Sequence, residues 1–332
     1  MTIRLGLLAA SRIAQQAVID PAPDVDGIEV VAVAARDQSR ADESATGWSL
    51  PLAFGSYQAL IDSDQVDAVY IATPASLHRQ WAIAAIEAGK HVLCEKPFAA
   101  NADDARRIAE AANASDVVVM EGFHWRYHPI VGQIGDVLAS GVLGRLDRIE
   151  ARFDIQDGMI PRDDIRWDLR MGGGALMDLG CYPIQWVRFA AGADPDVVSA
   201  MAECPVPGID GRLQAELRWP SGVTGSIHTS MIAPDGGVVS NLIVRGQHAT
   251  MTIDNPLAPQ HGARITIETS DGGRRSIKVA KSATYYHQMV AFRDAIGDGA
   301  VFPTTADDGV RNMEIIDACY RAAGLQPRPT LV

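Results

Sequence analysis

Glu95-Lys96-Pro97 follows the short apolar run His91–Cys94, and Asp178 precedes Tyr182 by four residues just behind Gly172-Gly173-Gly174. A lysine, a tyrosine and a carboxylate are the parts of a proton-transfer site. A tyrosine hydroxyl ionises near pH ~10 in water. An ammonium group beside it favours the phenolate and draws that value towards the working range. Tyr182 is therefore the candidate general acid/base and Lys96 the group that tunes and orients it. Asp178 is the candidate ligand for a substrate hydroxyl, or the partner of Lys96. On a helix, a four-residue spacing puts Asp178 and Tyr182 on one face. A surface carboxylate beside a core tyrosine has the same spacing. His124 and His128 are also four apart and so able to share a metal on a helix face. No third ligand is apparent, so no metal is expected. His124, Trp125 and Arg126 are read as substrate-side residues, and Arg126 equally suits a surface salt bridge. Arg166, with Arg162 and Asp163, precedes the glycines and is placed at the rim of a pocket.

A second group of residues suits a phosphate-bearing ligand. Ile3–Ala9 reads as a buried strand, and the turn after it is Ala9-Ala10-Ser11-Arg12-Ile13-Ala14. A turn that brings its backbone to a pyrophosphate at a helix N-terminus needs small residues in a G-x-G-x-x-G/A frame. Ala9, Ser11 and Ala14 occupy that frame, and the first two depart from glycine. The Ser11 hydroxyl has two open roles, helix cap or phosphate donor. Strand Ile28–Ala35 ends in Arg36-Asp37-Gln38-Ser39-Arg40. NAD sites place an acidic residue here for the ribose 2′-hydroxyl, whereas an arginine accommodates a 2′-phosphate. Arg36, helped by Ser39 and Arg40, therefore predicts NADP over NAD. The competing reading pairs Arg36 with Asp37 in a solvated loop. Thr73, Pro74 and His78 follow strand Asp67–Ala72, and Glu95, Lys96 and Pro97 follow His91–Cys94. Ends of parallel strands are where such sheets bind ligands.

The elements that would hold these residues alternate strand and helix over residues 1–121, the pattern of a doubly wound parallel sheet. Ser76–Ala88 stops at Gly89, a C-cap, and Asn101 caps the helix from Ala102. Beyond Glu121 the texture changes. Helical stretches near 130–143 and 174–191 flank Arg145–Phe153. Seven strand-like segments between Val197 and Val279 follow, separated by turn residues, then two helices, 285–296 and 306–323. The predicted class is α/β: a Rossmann domain, 1–121, and an α/β domain with a large, mostly antiparallel open-faced sheet, 122–332. A chain of 332 residues with 47% apolar composition accommodates two cores. Its net charge of −12 argues against a nucleic-acid partner. Four scattered cysteines and no apolar run of spanning length point to a reduced, cytoplasmic chain with no membrane partner.

Thr73-Pro74-x-x-x-His78, Glu95-Lys96-Pro97 and Gly172-Gly-Gly-Ala-Leu-Met-Asp178-Leu-Gly180-Cys-Tyr182 together resemble the glucose–fructose oxidoreductase / inositol dehydrogenase (Gfo/Idh/MocA) family. The resemblance covers essentially the whole chain. It implies that Lys96 and Pro97 lie beside a nicotinamide, that Asp178 lines the substrate pocket, and that the open sheet face builds a homodimer or homotetramer. Tyr182 stands where many members have histidine. That variant, with Ala35-Arg36-Asp37 and Gly122–Pro129, is similar to the branch of dimeric dihydrodiol dehydrogenases and NADP-dependent xylose dehydrogenases. The implied activity is NADP-dependent hydride transfer to or from an aldose or vicinal diol. The alternatives are a closed-cycle enzyme that keeps its nicotinamide (a sugar–sugar oxidoreductase or a glycosidase) and a non-catalytic dinucleotide-binding sensor.

Overall fold

The computed structural model describes residues 2–331. It divides into two compact units. One holds the chain up to Tyr127, Tyr285–Val310 and the tail from Thr330; the other holds His128–Thr284 and Arg311–Pro329.

In the first unit, β1 (Ile3–Leu8), β2 (Ile28–Ala34), β3 (Leu52–Phe54), β4 (Ala68–Ile71), β5 (His91–Cys94) and β6 (Val119–Glu121) form a parallel sheet in the order β3-β2-β1-β4-β5-β6. The helices between them are α1 (Arg12–Ala14, running into a π turn over Gln15–Ile19), α2 (Gln38–Trp48), α3 (Tyr57–Ile61), α4 (His78–Glu87) and α5 (Ala102–Asn113). Strands covered on both faces read as continuous apolar runs, and Leu5, Leu7, Val33, Val69, Tyr70, Val92 and Leu93 are all fully buried. The expected punctuation is present. Gly89 takes φ +73° after α4, and the Asn101 side chain accepts the Asp104 N–H at 2.9 Å. The sequence reading passes over β3, α2 and α3, because β3 is three half-buried residues and α2 is mostly polar, with only Ala41 and Ala45 buried.

Ala9 has φ +94°. A left-handed backbone costs a residue with a Cβ roughly 1–2 kcal/mol, and glycine gives back about half of that through its looser unfolded chain. Ala9→Gly is therefore expected to stabilise the fold by about 0.5–1 kcal/mol, read as a rise in the urea midpoint. A lower midpoint would mean that the alanine methyl contributes packing worth more than this strain.

The second unit carries α6 (Ile130–Ala139), α7 (Cys181–Ala191) and strands β7 (Leu146–Gln156), β8 (Asp196–Glu203), β9 (Arg212–Arg218), β10 (Thr224–Ala233), β11 (Val238–Gly246), β12 (Ala249–Asp254), β13 (Arg264–Thr269) and β14 (Arg274–Lys278). Their order is β14-β13-β12-β11-β7-β10-β9-β8. All neighbours are antiparallel except β7 and β10. In β9, Leu213, Ala215 and Leu217 are buried and alternate with Gln214, Glu216 and Arg218. That alternation marks a sheet packed on one face only. The other face is charged: Arg148 reaches Glu150 at 3.2 Å and Glu216 at 3.1 Å, and Arg245 reaches Glu150 at 2.8 Å. A groove of about 690 Å³ between α6 and β13–β14 is lined by Gln133, Val137, Ile267 and Arg274, and by none of the site residues picked from the sequence.

The last helices are α8 (Thr284–Asp298) and α9 (Ala306–Ala322). From Tyr285 onward α8 packs with the first unit, where Met289 and Phe292 are fully buried against Leu5, Leu7 and Met120. The spacing of Tyr285, Met289, Phe292 and Ala295 gives α8 one apolar stripe, and the parallel sheet's core covers it.

Candidate active site

Strand order in the first unit turns back on either side of β1, which opens a crevice past the carboxyl ends of β1 and β4. The residues at the strand ends are Ala9–Ser11, Ala35–Arg36, Ala72–Thr73, Glu95–Pro97 and Gly122–His124. Three hydroxyls in this region, those of Ser11, Thr73 and Ser76, are buried without a hydrogen-bond partner. Ser11 stands at the cap position of α1, yet its side chain makes no capping bond. The cap role is therefore not taken. An unmet buried hydroxyl costs about 1–3 kcal/mol, and three close in sequence to the ends of β1 and β4 fit a ligand rich in acceptor oxygens, as a dinucleotide is. Arg12 is exposed beside the turn, and Ile13 is half-buried.

At the end of β2, Arg36, Ser39 and Arg40 are exposed. Among the described residues Arg36 makes no ion pair with Asp37. The Asp37 carboxylate instead caps α2 by accepting the Arg40 N–H at 2.9 Å. Tyr57 shares this corner: burial pushes its pKa up, and the charges of Arg36 and Arg40 act against that shift.

The Lys96–Pro97 peptide is cis. Glu95 is 7% exposed; it accepts the Tyr70 hydroxyl at 2.8 Å and the Lys96 N–H at 3.2 Å. His78 lies under the same loop, with Nε2 at 2.8 Å from the Thr73 carbonyl and Nδ1 at 3.0 Å from the Pro97 carbonyl. It thus fastens the loop after β4, with half-buried Pro74, to the loop after β5. Burial and, more weakly, the charge of Lys96 lower its pKa. His124 stacks on Tyr285 with ring centroids 4.2 Å apart. Burial, then the Lys96 charge, brings the His124 pKa down to about 3. Tyr285 is pushed the other way, well above its usual value, by burial and then by Glu95. Trp125 is fully buried, and the Arg126 guanidinium lies 5.5 Å from its ring centre.

A neutral His124 has a consequence for stability. An unfolded histidine titrates near ~6.5. Between that value and about 3 the unfolded chain binds the extra proton and the folded chain does not. Stability is therefore full above ~6.5 and falls as pH drops below it, by up to about 1.4 kcal/mol per pH unit. Denaturation at pH 7, 6 and 5 should show a shallower loss in His124→Phe than in the parent. Equal slopes would assign the loss to other groups.

In the second unit the helical stretch expected over 174–191 is not one α-helix. Leu176–Gly180 forms a π turn, and α7 starts at Cys181. Pro183 has no N–H to return to Leu179, so the ladder is re-registered with an extra residue. Asp178 therefore lies within the π turn and Tyr182 in the first turn of α7. Asp178 accepts from Arg166 Nε at 2.5 Å, while Arg166 Nη1 also meets Asp164 at 3.0 Å. The two carboxylates hold the Arg166 guanidinium firmly protonated, Asp178 contributing most. Arg162 lies over the Trp167 ring, 4.2 Å from its centre. Tyr182 is 4% exposed, edge-on to Phe153 at 5.9 Å and tilted against Trp186 at 6.1 Å. His128 is 1% exposed and accepts the Ile130 N–H at Nδ1, and His124 sits in a 3₁₀ turn, so the pair does not share an α-helical face.

Residues 3–123 match the oxidoreductase family with an NAD-binding Rossmann fold, and residues 131–252 match the GFO/IDH/MocA C-terminal domain. The chain belongs to the GFO/IDH/MocA family. Among curated relatives, the D-xylose 1-dehydrogenase (NADP(+)) 2 of Haloferax volcanii is 32% identical over 96% of both chains. The trans-1,2-dihydrobenzene-1,2-diol dehydrogenase of Mus musculus is 36% identical over 70% of this chain and 69% of its own. Among solved structures, a 3-ketoreductase from Actinomadura kijaniata in complex with NADP and TDP-benzene superposes with a TM-score of 0.88. That match has 28% identity and covers 97% of this chain and 98% of the other. This GFO/IDH/MocA protein is an oxidoreductase with an NAD-binding Rossmann fold. No helix among its described residues is long and apolar enough to cross a membrane.

Tyr57, Tyr70, Ser76 and Tyr285 stand with the site residues but escape the sequence reading. Each comes from a different element, and no local spacing links Tyr285 to His124 or Tyr70 to Glu95. A buried polar side chain on a strand, such as Tyr70, is the sole trace the sequence offers.

Proposed function

We propose that this GFO/IDH/MocA member transfers hydride between NADP(H) and an aldose or a vicinal diol. The observation that carries the cofactor choice is Arg36 at the end of β2, exposed and, among the described residues, not ion-paired with Asp37, whose carboxylate caps α2. Ser39 and Arg40 join it for the 2′-phosphate. Ala9, Ser11, Arg12 and Ile13 form the pyrophosphate turn. Thr73, Pro74, His78, Glu95, Lys96 and Pro97 line the nicotinamide end. The substrate class rests on the relatives named for xylose and dihydrodiol oxidation and on the hydrogen-bonding residues Asp178, Arg166, His124, Trp125 and Arg126.

Oxidising a CH–OH group removes a hydride and a proton. The nicotinamide, when bound, takes up or returns the hydride. Tyr182 takes the hydroxyl proton, and in reduction its hydroxyl gives that proton to the carbonyl oxygen. Lys96 supplies the positive charge that favours the phenolate. Asp178, held by Arg166, accepts from a neighbouring substrate hydroxyl. We assign the protein to the cytoplasm, since its four cysteines stand outside any disulfide and suit a reducing compartment. The open sheet face is assigned to homodimer or homotetramer assembly, a state that light scattering reads directly.

The test is absorbance at the reduced-nicotinamide band with NADP or NAD and a panel of aldoses, inositols and cyclic diols. Turnover with NADP above NAD is expected. Silence across the panel with tight NADP binding would replace this reading with the sensor or the closed-cycle enzyme.

A further inference from the structure

The second unit buries a complete ion pair that the proposed chemistry does not use. Arg328 and Asp210 have side chains of 0% exposure and are bonded through Nη2 and Oδ1. Both members of the pair also bond the segment just before Asp178. Arg328 Nε donates to the Gly173 carbonyl at 2.5 Å, and Nη1 donates to the Gly208 carbonyl at 3.1 Å. Asp210 accepts the Leu176 N–H at Oδ2 and the Ala175 N–H at its own carbonyl, both at 2.7 Å. Tyr320 donates its hydroxyl to Asp210 at 3.0 Å, and its ring lies 4.0 Å under the Arg328 guanidinium.

The clamped segment is joined at both ends to the substrate-side pair. Gly174 N–H donates to the Arg166 carbonyl and its own carbonyl accepts the Asp178 N–H, each at 3.0 Å. Gly174 takes φ +133°, and a Cβ there would collide with Asp210 Oδ1 and Arg328 Nη2. This close approach explains why the run must be glycine at that position. A fully buried ion pair is seldom a better stabiliser than well-packed apolar residues. Its distinctive property is geometric, since a planar guanidinium fork fixes its acceptors in one arrangement.

We propose that Arg328, Asp210 and Tyr320 are positioning residues that set Asp178 and Arg166 for the hydroxyl groups of the substrate. The proposal rests on the reading of Asp178 as a substrate ligand. None of the three touches substrate; they act through the backbone of residues 173–176.

Two variants test it, Arg328→Lys, which keeps the charge and loses the fork, and Tyr320→Phe, which loses one donor and keeps the ring. Hydrogen exchange is read at the amides of residues 173–178, with β12 and β13 as internal reference. KM for the polyol, kcat and the Kd of NADP are measured beside it. The expected result is faster exchange confined to 173–178, a rise of about tenfold in the polyol KM exceeding the change in kcat, and unchanged NADP affinity. Folded variants with parental exchange and parental KM overturn the proposal, as does faster exchange with an unchanged KM. If Arg328→Lys does not fold, Tyr320→Phe decides by the same readings. Should the parent turn over no polyol, the proposed function fails by itself, and parental exchange in both variants then overturns the clamp separately.

Discussion

Tyr182→Phe is expected to lower kcat by about 10²–10⁴, the range a positioned acid/base contributes, while NADP binding stays unchanged. The substitution removes one oxygen. The ring that packs edge-on to Phe153 and against Trp186 is retained, so the stability cost is confined to about 0.5–1.5 kcal/mol for one hydrogen bond. A mutant that unfolds would therefore contradict the packing, and an active mutant would contradict the role. Lys96→Met tests the same machine from its other side. If the lysine acts by favouring the phenolate, its loss moves the alkaline rise of the kcat profile upward. The double mutant then loses little beyond Tyr182→Phe alone, because groups that act as one unit are not additive. Additive losses would show that Lys96 works independently, on the cofactor instead of the proton.

Arg36→Asp should reverse the cofactor preference. One charge-assisted contact to a 2′-phosphate contributes about 1.5–3 kcal/mol, which corresponds to roughly 10–100-fold in kcat/KM with NADP. The introduced carboxylate also repels the phosphate and accepts the ribose 2′-hydroxyl of NAD. The ratio of the two kcat/KM values should therefore swing by about 10³, less in high salt because the corner is exposed. Arg40 remains and limits the loss. Asp37 caps α2 through its own side chain, so the effect is expected without a change in unfolding temperature. An unchanged ratio would remove Arg36 from the cofactor site and with it the main argument for NADP.

The residues legible in the sequence were those whose meaning is local. Small residues after a buried strand, an arginine where a carboxylate would select NAD, Gly89 and Asn101 as helix punctuation, and the alternation of Leu213, Ala215 and Leu217 all follow from chain periodicity and backbone sterics. The parallel sheet, the large antiparallel sheet and the Glu95-Lys96-Pro97 loop are placed by those signals. Harder to read was the segment before Tyr182. A helical pattern over residues 174–191 carries no mark of the π turn at Leu176–Gly180 except Pro183, which shows its effect four residues upstream.

What the tertiary structure alone decided was which distant groups meet. Covalent order fixes spacing along an element, so a four-residue step or a strand end is visible in one sequence. Burial and pairing instead depend on side chains brought together by packing of elements far apart in the chain. Hence His124 is neutral because Tyr285, 161 residues on, closes over it and Lys96 lies near. Asp178 accepts from the Arg166 side chain, and Arg328, near the end of the chain, bonds both Gly173 and Asp210. Charge and hydrogen-bond energies rise steeply as water is excluded, and which groups lose their water is a property of the folded interior.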